Sequence, residues 1–269
     1  MELERLGRTD ALVPKLGIGT YKMESDPQSA ILAIRRAVEL GMGLIDTAEV
    51  YGWGRVEEIV GRAVEPYDRE EYFIVTKVWL TNLKRRDVLR SAAKSLKRLK
   101  TGYIDLYLIH WPNPSVRLAE TLRAMEELVS EGLVRFIGVS NFDLSLLEEA
   151  VSTVKSSEIV ANQVKYSLLD REVENGLLQY CQKEGITLMA YSPLEKGLLA
   201  RSPPERLRAV AERVGRTPAQ VALNWLISKP GVVAIPKASR LKHVEENYGA
   251  VGWRLSEEDA KSLDALAHR

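Results

Sequence analysis

The chain contains one cysteine, Cys181. An intrachain disulfide and a cysteine-based metal site are therefore both excluded. Histidine is nearly as scarce: His110, His243 and His268 are the three, far apart in sequence, so no metal-ligand set is assigned. Neither sign of charge dominates, because 38 Lys and Arg against 37 Asp and Glu leave a net charge of +1 at pH 7. Such a balance gives no general affinity for nucleic acid or acidic membranes. No apolar run approaches the ~18 residues of a membrane span, and residues 1–5 lack the apolar core of a signal peptide. A soluble, cytoplasmic chain is expected, monomeric and acting on a small molecule. Low-complexity segments and linkers are missing too, so residues 1–269 are read as one domain.

What the sequence does have is a rhythm. After a hairpin expected over residues 3–12, with its turn at Gly7 to Asp10, short apolar runs fall at 16–19, 43–46, 73–77, 106–110, 136–140, 160–163, 187–191 and 232–236. Between them lie segments of helical period, such as Ala30, Ile31, Ile34 and Val38, or Val88, Ala92, Leu96 and Leu99. Start signals agree: Pro27 follows Ser25-Asp26, and Pro218 follows Thr217. Buried strands alternating with helices predict a parallel sheet covered by helices. At 269 residues an α/β fold of the (β/α)8 TIM-barrel type is favoured over an open sheet. An extra C-terminal helix is expected over 256–267.

Function in such a barrel belongs at the C-terminal ends of the strands. The second, third and fourth apolar runs end on Asp46, Lys77 and His110, and Tyr51 follows the first of these. Asp46 with Glu49 three residues on also reads as a helix capping box. In company, the four side chains read as a reaction centre. A free tyrosine has a pKa of ~10. A lysine within ~4–6 Å is expected to lower it toward the working range of a general acid. Asp46 would hold Lys77 charged, and His110 would donate a hydrogen bond to a substrate carbonyl. With Asp46 committed, no carboxylate remains for proton abstraction, and a bound nicotinamide is the natural partner as hydride source. Gly17-Ile18-Gly19 lacks the third glycine of a dinucleotide fingerprint. The other route to a phosphate site is the stretch Ile235-Pro236-Lys237-Ala238-Ser239-Arg240 running into a helix. Ser140-Asn141 and Gln163 suit a carboxamide, and Tyr191 suits stacking on an aromatic ring. Tyr21, Trp53, Trp79 and Trp111, near the strand exits, read as an aromatic substrate wall around Tyr51 and His110.

These residues resemble the aldo-keto reductase family nearly end to end. The pieces that carry the likeness are Gly17-Ile18-Gly19-Thr20-Tyr21, Ile45-Asp46-Thr47-Ala48, Tyr51-Gly52, Ile109-His110-Trp111-Pro112, Gly138-Val139-Ser140-Asn141-Phe142, Asn162-Gln163, Ala190-Tyr191-Ser192-Pro193-Leu194, residues 217–223 and Ile235-Pro236-Lys237. The resemblance implies reduction of aldehydes or ketones with NADP(H), and Asp46, Tyr51, Lys77 and His110 as the family's catalytic tetrad. It implies a cofactor site drawn from Gly19, Thr20, Tyr21, Asp46, Ser140, Asn141, Gln163, Tyr191, Ser192, Pro193, Leu194, Ile235, Pro236, Lys237, Ala238, Ser239, Arg240, His243, Glu246 and Asn247. Lys237 falls where the family meets the adenosine 2′-phosphate. Ala238 stands where many members have serine, and His243 where arginine is common, which leaves room for NAD(H) as a second cofactor. The loop after His110-Trp111 is short, so the pocket is expected to be open. Two other readings remain: a cofactor-sensing regulatory barrel with little turnover, and a phosphate-binding isomerase or lyase.

Overall fold

Side chains alternate between the two faces of a strand, so a strand buried on both faces still sorts its residues into an inner and an outer set. A computed structural model of the protein describes residues 1–266. The described residues form an antiparallel hairpin, β1 (Leu3–Arg5) and β2 (Leu12–Pro14), followed by eight parallel strands. These are β3 (Ile18–Gly19), β4 (Leu44–Asp46), β5 (Phe73–Val78), β6 (Ile104–Ile109), β7 (Val134–Ser140), β8 (Ile159–Lys165), β9 (Thr187–Tyr191) and β10 (Val232–Ala234), hydrogen-bonded in sequence order. The first and last strands also meet. Gly17 N–H donates to Ala234 C=O at 2.9 Å, Ala234 N–H to Lys15 C=O at 2.8 Å and Gly19 N–H to Pro236 C=O at 3.0 Å. The sheet is thus a ring. A Cβ on Gly19 would sit 2.8 Å from Ile235 O, so the closure needs glycine there.

Helices wrap the outside: α1 (Pro27–Glu39), α2 (Arg55–Val64), α3 (Arg85–Leu99), α4 (Leu118–Ser130), α5 (Leu144–Thr153), α6 (Leu177–Glu184), then α7 (Leu198–Arg201), α8 (Glu205–Val214) and α9 (Pro218–Ile227) between β9 and β10, and finally α10 (Leu241–Tyr248) and α11 (Glu257–Asp264). The expected caps are in place: Asp26 accepts from Ser29 N–H, and Thr217 and Gln220 form a capping box at Pro218. The extra C-terminal helix is α11, capped by Ser256; Ala267 and His268 lie outside the described residues. No helix among the described residues is long and apolar enough to cross a membrane.

The core has two shells. Outward-facing strand residues such as Ile45, Ile74, Tyr107 and Ile109 pack with the helices. Leu44, Phe73, Val75, Leu106, Leu108, Met189, Val233 and Ile235 fill the barrel interior. Leu6 and Val13 of the hairpin join this inner cluster. Thr187, the first residue of β9, ties the hairpin down: its Oγ1 donates to Arg5 C=O and accepts from Gly7 N–H. The hairpin therefore plugs the floor, at the end of the inner cluster away from Asp46, Lys77 and His110.

Candidate active site

The period of two carries the inner apolar rows straight into the site. Leu44 leads to Asp46, Phe73 and Val75 to Lys77, and Leu106 and Leu108 to His110. Each ionisable group stands one pleat above a core residue, at the mouth of the barrel. Lys77 is 0% exposed and Asp46 4%. The Lys77 ammonium donates to Asp46 Oδ1 and to Thr47 C=O, both at 2.7 Å. Gln163 Nε2 donates to the same Asp46 oxygen at 2.7 Å. Asp46 is a strand terminus held by a cation and an amide, so the capping-box alternative for Asp46 and Glu49 is not what forms.

Tyr51 enters from the loop after β4. Its ring lies 5.1 Å from Lys77 Nζ, 5.7 Å from the His110 ring and 5.2 Å from the Tyr21 ring. A left-handed run follows it, with φ of +54° at Gly52, +54° at Trp53 and +94° at Gly54. A Cβ on Gly52 would meet Glu24 Cβ at 3.0 Å, so this turn needs glycine for both conformation and space.

Burial sets the protonation states. It pushes the Tyr51 phenol well above its ordinary value, and the charge on Asp46 adds to the shift. The expectation that Lys77 would bring this phenol down is therefore corrected. Desolvation is the largest cause, and the phenol faces an ion pair closed at 2.7 Å rather than an isolated cation. Burial likewise lowers the Lys77 ammonium, with Asp46 opposing that effect. His110, 8% exposed, is lowered to about 3 by burial and then by the charge of Lys77. Its imidazole is neutral at working pH. Its Nδ1 is buried and without a hydrogen-bond partner among the described residues, which leaves Nε2 as the nitrogen to donate.

On the opposite arc, β7, β8 and β9 supply a linked polar set. Ser140 Oγ donates to Gln163 C=O at 2.8 Å, Asn141 Nδ2 to Ser140 Oγ at 3.0 Å and to His110 C=O at 2.9 Å, and Tyr191 OH to Asn141 Oδ1 at 2.9 Å. Asn141 adopts φ +60° and Ser192 φ +51°. Thr20 donates through Oγ1 to Asp46 C=O at 2.8 Å, which ties the strand beside the seam to the centre. Pro193, Ile235, Pro236, Ala238 and Asn247 are buried, Leu194 and Glu246 half-buried. Lys237, Arg240 and His243 are exposed at the start of α10, and Lys237 Nζ donates to Ser239 Oγ at 2.9 Å. Two exposed cations beside a helix N-terminus fit a phosphate group. Gly19 lies at the barrel seam.

The aromatic set divides. The Trp79 ring meets His110 edge-on at 5.1 Å and Tyr21 meets Tyr51, with Trp111 42% exposed beside them in sequence to His110. Trp53, 91% exposed, lines a surface hollow with Pro27, Arg55 and Arg62 instead. The structure also brings in Glu49, Asn82 and Asn113, which the sequence did not single out. Glu49 reads there only as a capping residue, and no motif marks the two asparagines. Among the described residues no cluster of three or more His, Cys, Asp or Glu could hold a metal.

The profile of the Aldo/keto reductase family matches residues 15–268. Methylglyoxal reductase YeaE of Escherichia coli K12 is 38% identical over 264 residues, covering 95% of this chain and 91% of that protein. A thermostable aldo-keto reductase, Tm1743, solved with the inhibitor epalrestat, superposes with a TM-score of 0.95 at 49% identity, over 99% of this chain and 100% of the other. An aldo/keto reductase from Klebsiella pneumoniae, solved with NADP and acetate, gives a TM-score of 0.92 at 38% identity, over 98% and 94% of the two chains.

Proposed function

The chain belongs to the aldo/keto reductase family, and from that premise we propose that it reduces the aldehyde or ketone group of small carbonyl compounds to alcohols with NADPH, methylglyoxal being a substrate of this class. The observation that carries this reading is the inner-face cluster itself: a Lys77–Asp46 pair closed at 2.7 Å, with the Tyr51 ring 5.1 Å from the ammonium and 5.7 Å from a neutral imidazole.

Cofactor binding falls to the arc from Ser140 to His243. Lys237 and Arg240 would hold the 2′-phosphate, and the half-buried Tyr191 ring would lie against the nicotinamide. Ser140, Asn141 and Gln163 offer their amides and hydroxyl to its carboxamide. The chemistry such a cofactor supplies is a hydride to the carbonyl carbon.

The protein's own groups handle the oxygen. The neutral His110 imidazole donates to the carbonyl oxygen and orients it without adding a positive charge to the site. Tyr51 is held protonated, so it arrives loaded as a donor. As the C=O bond becomes C–O⁻, the phenol proton passes to that oxygen. An alkoxide, with a basicity near that of hydroxide, takes it even from a phenol shifted upward. Lys77 then faces the phenolate that remains until solvent restores the proton. Tyr21, Trp79 and Trp111 border the mouth as apolar walls. The test is loss of NADPH absorbance with methylglyoxal and a panel of aldehydes and ketones, beside NADH. No consumption of either cofactor with any of them would overturn the reading.

A further inference from the structure

Glu49 lies in the loop between Asp46 and Tyr51 but does not face the reaction centre's ion pair. Its backbone N–H donates to Lys77 C=O at 3.4 Å. Its Oε1 accepts from Trp79 N–H at 2.6 Å and from Asn82 Nδ2 at 3.0 Å. Trp79 opens a turn of 3₁₀ helix, Leu80–Asn82, closed by Asn82 N–H donating to Trp79 C=O at 2.8 Å. Leu80 C=O in turn accepts from Asn113 Nδ2 at 2.9 Å. One half-buried carboxylate thus joins the loop that bears Tyr51 to the loop that bears Trp79, and an amide joins the latter to the loop after His110.

The rings show what this arrangement controls. Tyr51 and Trp79 each meet the His110 ring edge-on, at 5.7 Å and 77° and at 5.1 Å and 79°. The backbone of Trp79 has no sheet partner of its own at N–H beyond this bond, because β5 ends at Val78. A charge-assisted bond of 2.6 Å is stronger than a neutral one, and it fixes the residue from which the indole projects.

We propose that Glu49 is a positioning residue that sets the substrate slot between Tyr51 and Trp79, and with it the discrimination between small α-dicarbonyls and aromatic aldehydes. The inference rests on the reductase reading above. A small dicarbonyl is held at its carbonyl by Tyr51 and His110 and leans little on the wall. An aromatic aldehyde needs the Trp79 face at a set distance.

The experiment compares wild type, Glu49→Ala and Glu49→Gln with NADPH, using methylglyoxal and benzaldehyde. Glutamine keeps an acceptor oxygen for both donors. In Glu49→Ala the KM for benzaldehyde should rise roughly tenfold, the upper end for losing an edge-to-face aromatic contact. Turnover of methylglyoxal should stay within about twofold, since the groups that meet its carbonyl are untouched, and NADPH affinity should not change. Glu49→Gln, which keeps the acceptor but makes weaker neutral bonds, should restore the benzaldehyde KM in large part. Amide hydrogen exchange reads the clamp without turnover: Trp79 N–H should exchange at least ~10-fold faster in Glu49→Ala. An unchanged substrate preference, an unchanged Trp79 exchange rate, or a Gln variant as impaired as Ala would overturn the proposal. So would a parallel loss of NADPH binding and methylglyoxal turnover, which marks a general structural defect. A wild-type enzyme inert to both aldehydes sinks the reductase reading and the slot together; an active one with identical preference in Glu49→Ala sinks the slot alone.

Discussion

Replacing His110 by glutamine separates the protonation state of this residue from its shape. In the folded protein burial and the nearby Lys77 charge lower the imidazole from 6.5 to about 3. The unfolded chain binds the proton below about 6.5, while the native state refuses it until about pH 3. The stability that comes from keeping His110 neutral is therefore complete above pH 6.5 and is lost as pH falls toward 3. The slope in that window is about 1.4 kcal/mol per pH unit. Going from pH 7 to pH 5 crosses about one and a half units below the unfolded value, so His110 alone should account for a loss of roughly 2 kcal/mol. Glutamine is neutral at both pH values and contributes no such slope. Urea unfolding at pH 7 and pH 5 for both proteins gives four free energies. The advantage of wild type over His110→Gln should shrink by about 2 kcal/mol between them, other carboxylates cancelling in the difference. Equal pH slopes in the two proteins would refute the reasoning, as would an imidazole NMR titration centred near 6.5 in the native state. The same protonation state bears on catalysis: a neutral donor predicts no acid limb of kcat near pH 6.5.

The other predictions concern the acid, the ion pair and the cofactor. Tyr51→Phe should lower aldehyde reduction at least ~100-fold with NADPH affinity kept; near wild-type turnover would remove Tyr51 from the role. Because its phenol is held above the ordinary value, wild-type kcat should stay flat through the neutral range and fall only as pH rises past about 10, and a break near neutrality would contradict this. Lys77→Met leaves Asp46 buried with Gln163 as its remaining side-chain partner. A loss of turnover and of about 3–5 kcal/mol in urea unfolding is expected, and a variant as stable and active as wild type would count against the pair. Finally, His243 is exposed at the start of α10 with Lys237 and Arg240. His243→Ala should lower the ratio of NADPH to NADH affinity, and an unchanged ratio would exclude His243 from the phosphate site.

Much of this site was readable before any coordinates, for a specific reason. In a strand covered on both faces, a charged residue at its C-terminal end has no packing role that an apolar one would not fill better. Asp46, Lys77 and His110 stood out because the runs they close, Leu44-Ile45, Phe73 to Thr76 and Leu106 to Ile109, are otherwise apolar. Ser140, Gln163 and Tyr191 were legible the same way. Glu49 was not, because a carboxylate three residues after an aspartate has a cheaper local explanation, and the donors it meets, Trp79 N–H and Asn82, lie about 30 residues on. Trp53 misled in the opposite sense: its place two residues after Tyr51 says it is near, but three successive left-handed residues swing it outward.

The sequence by itself determined the ring of eight strands, which residues line its interior and which groups stand at its open end. Those follow from a period of two and from the cost of burying polar atoms, both local properties of the chain. The tertiary structure alone decided how those groups are charged and aimed. A pKa depends on how much solvent the whole fold removes and on which charges it closes together. The barrel leaves Tyr51 half-buried, buries His110 and shuts Lys77 against Asp46, so desolvation raises the phenol where spacing alone had it falling. No stretch of sequence contains that balance, because the groups that set it come from different strands and the loops between them.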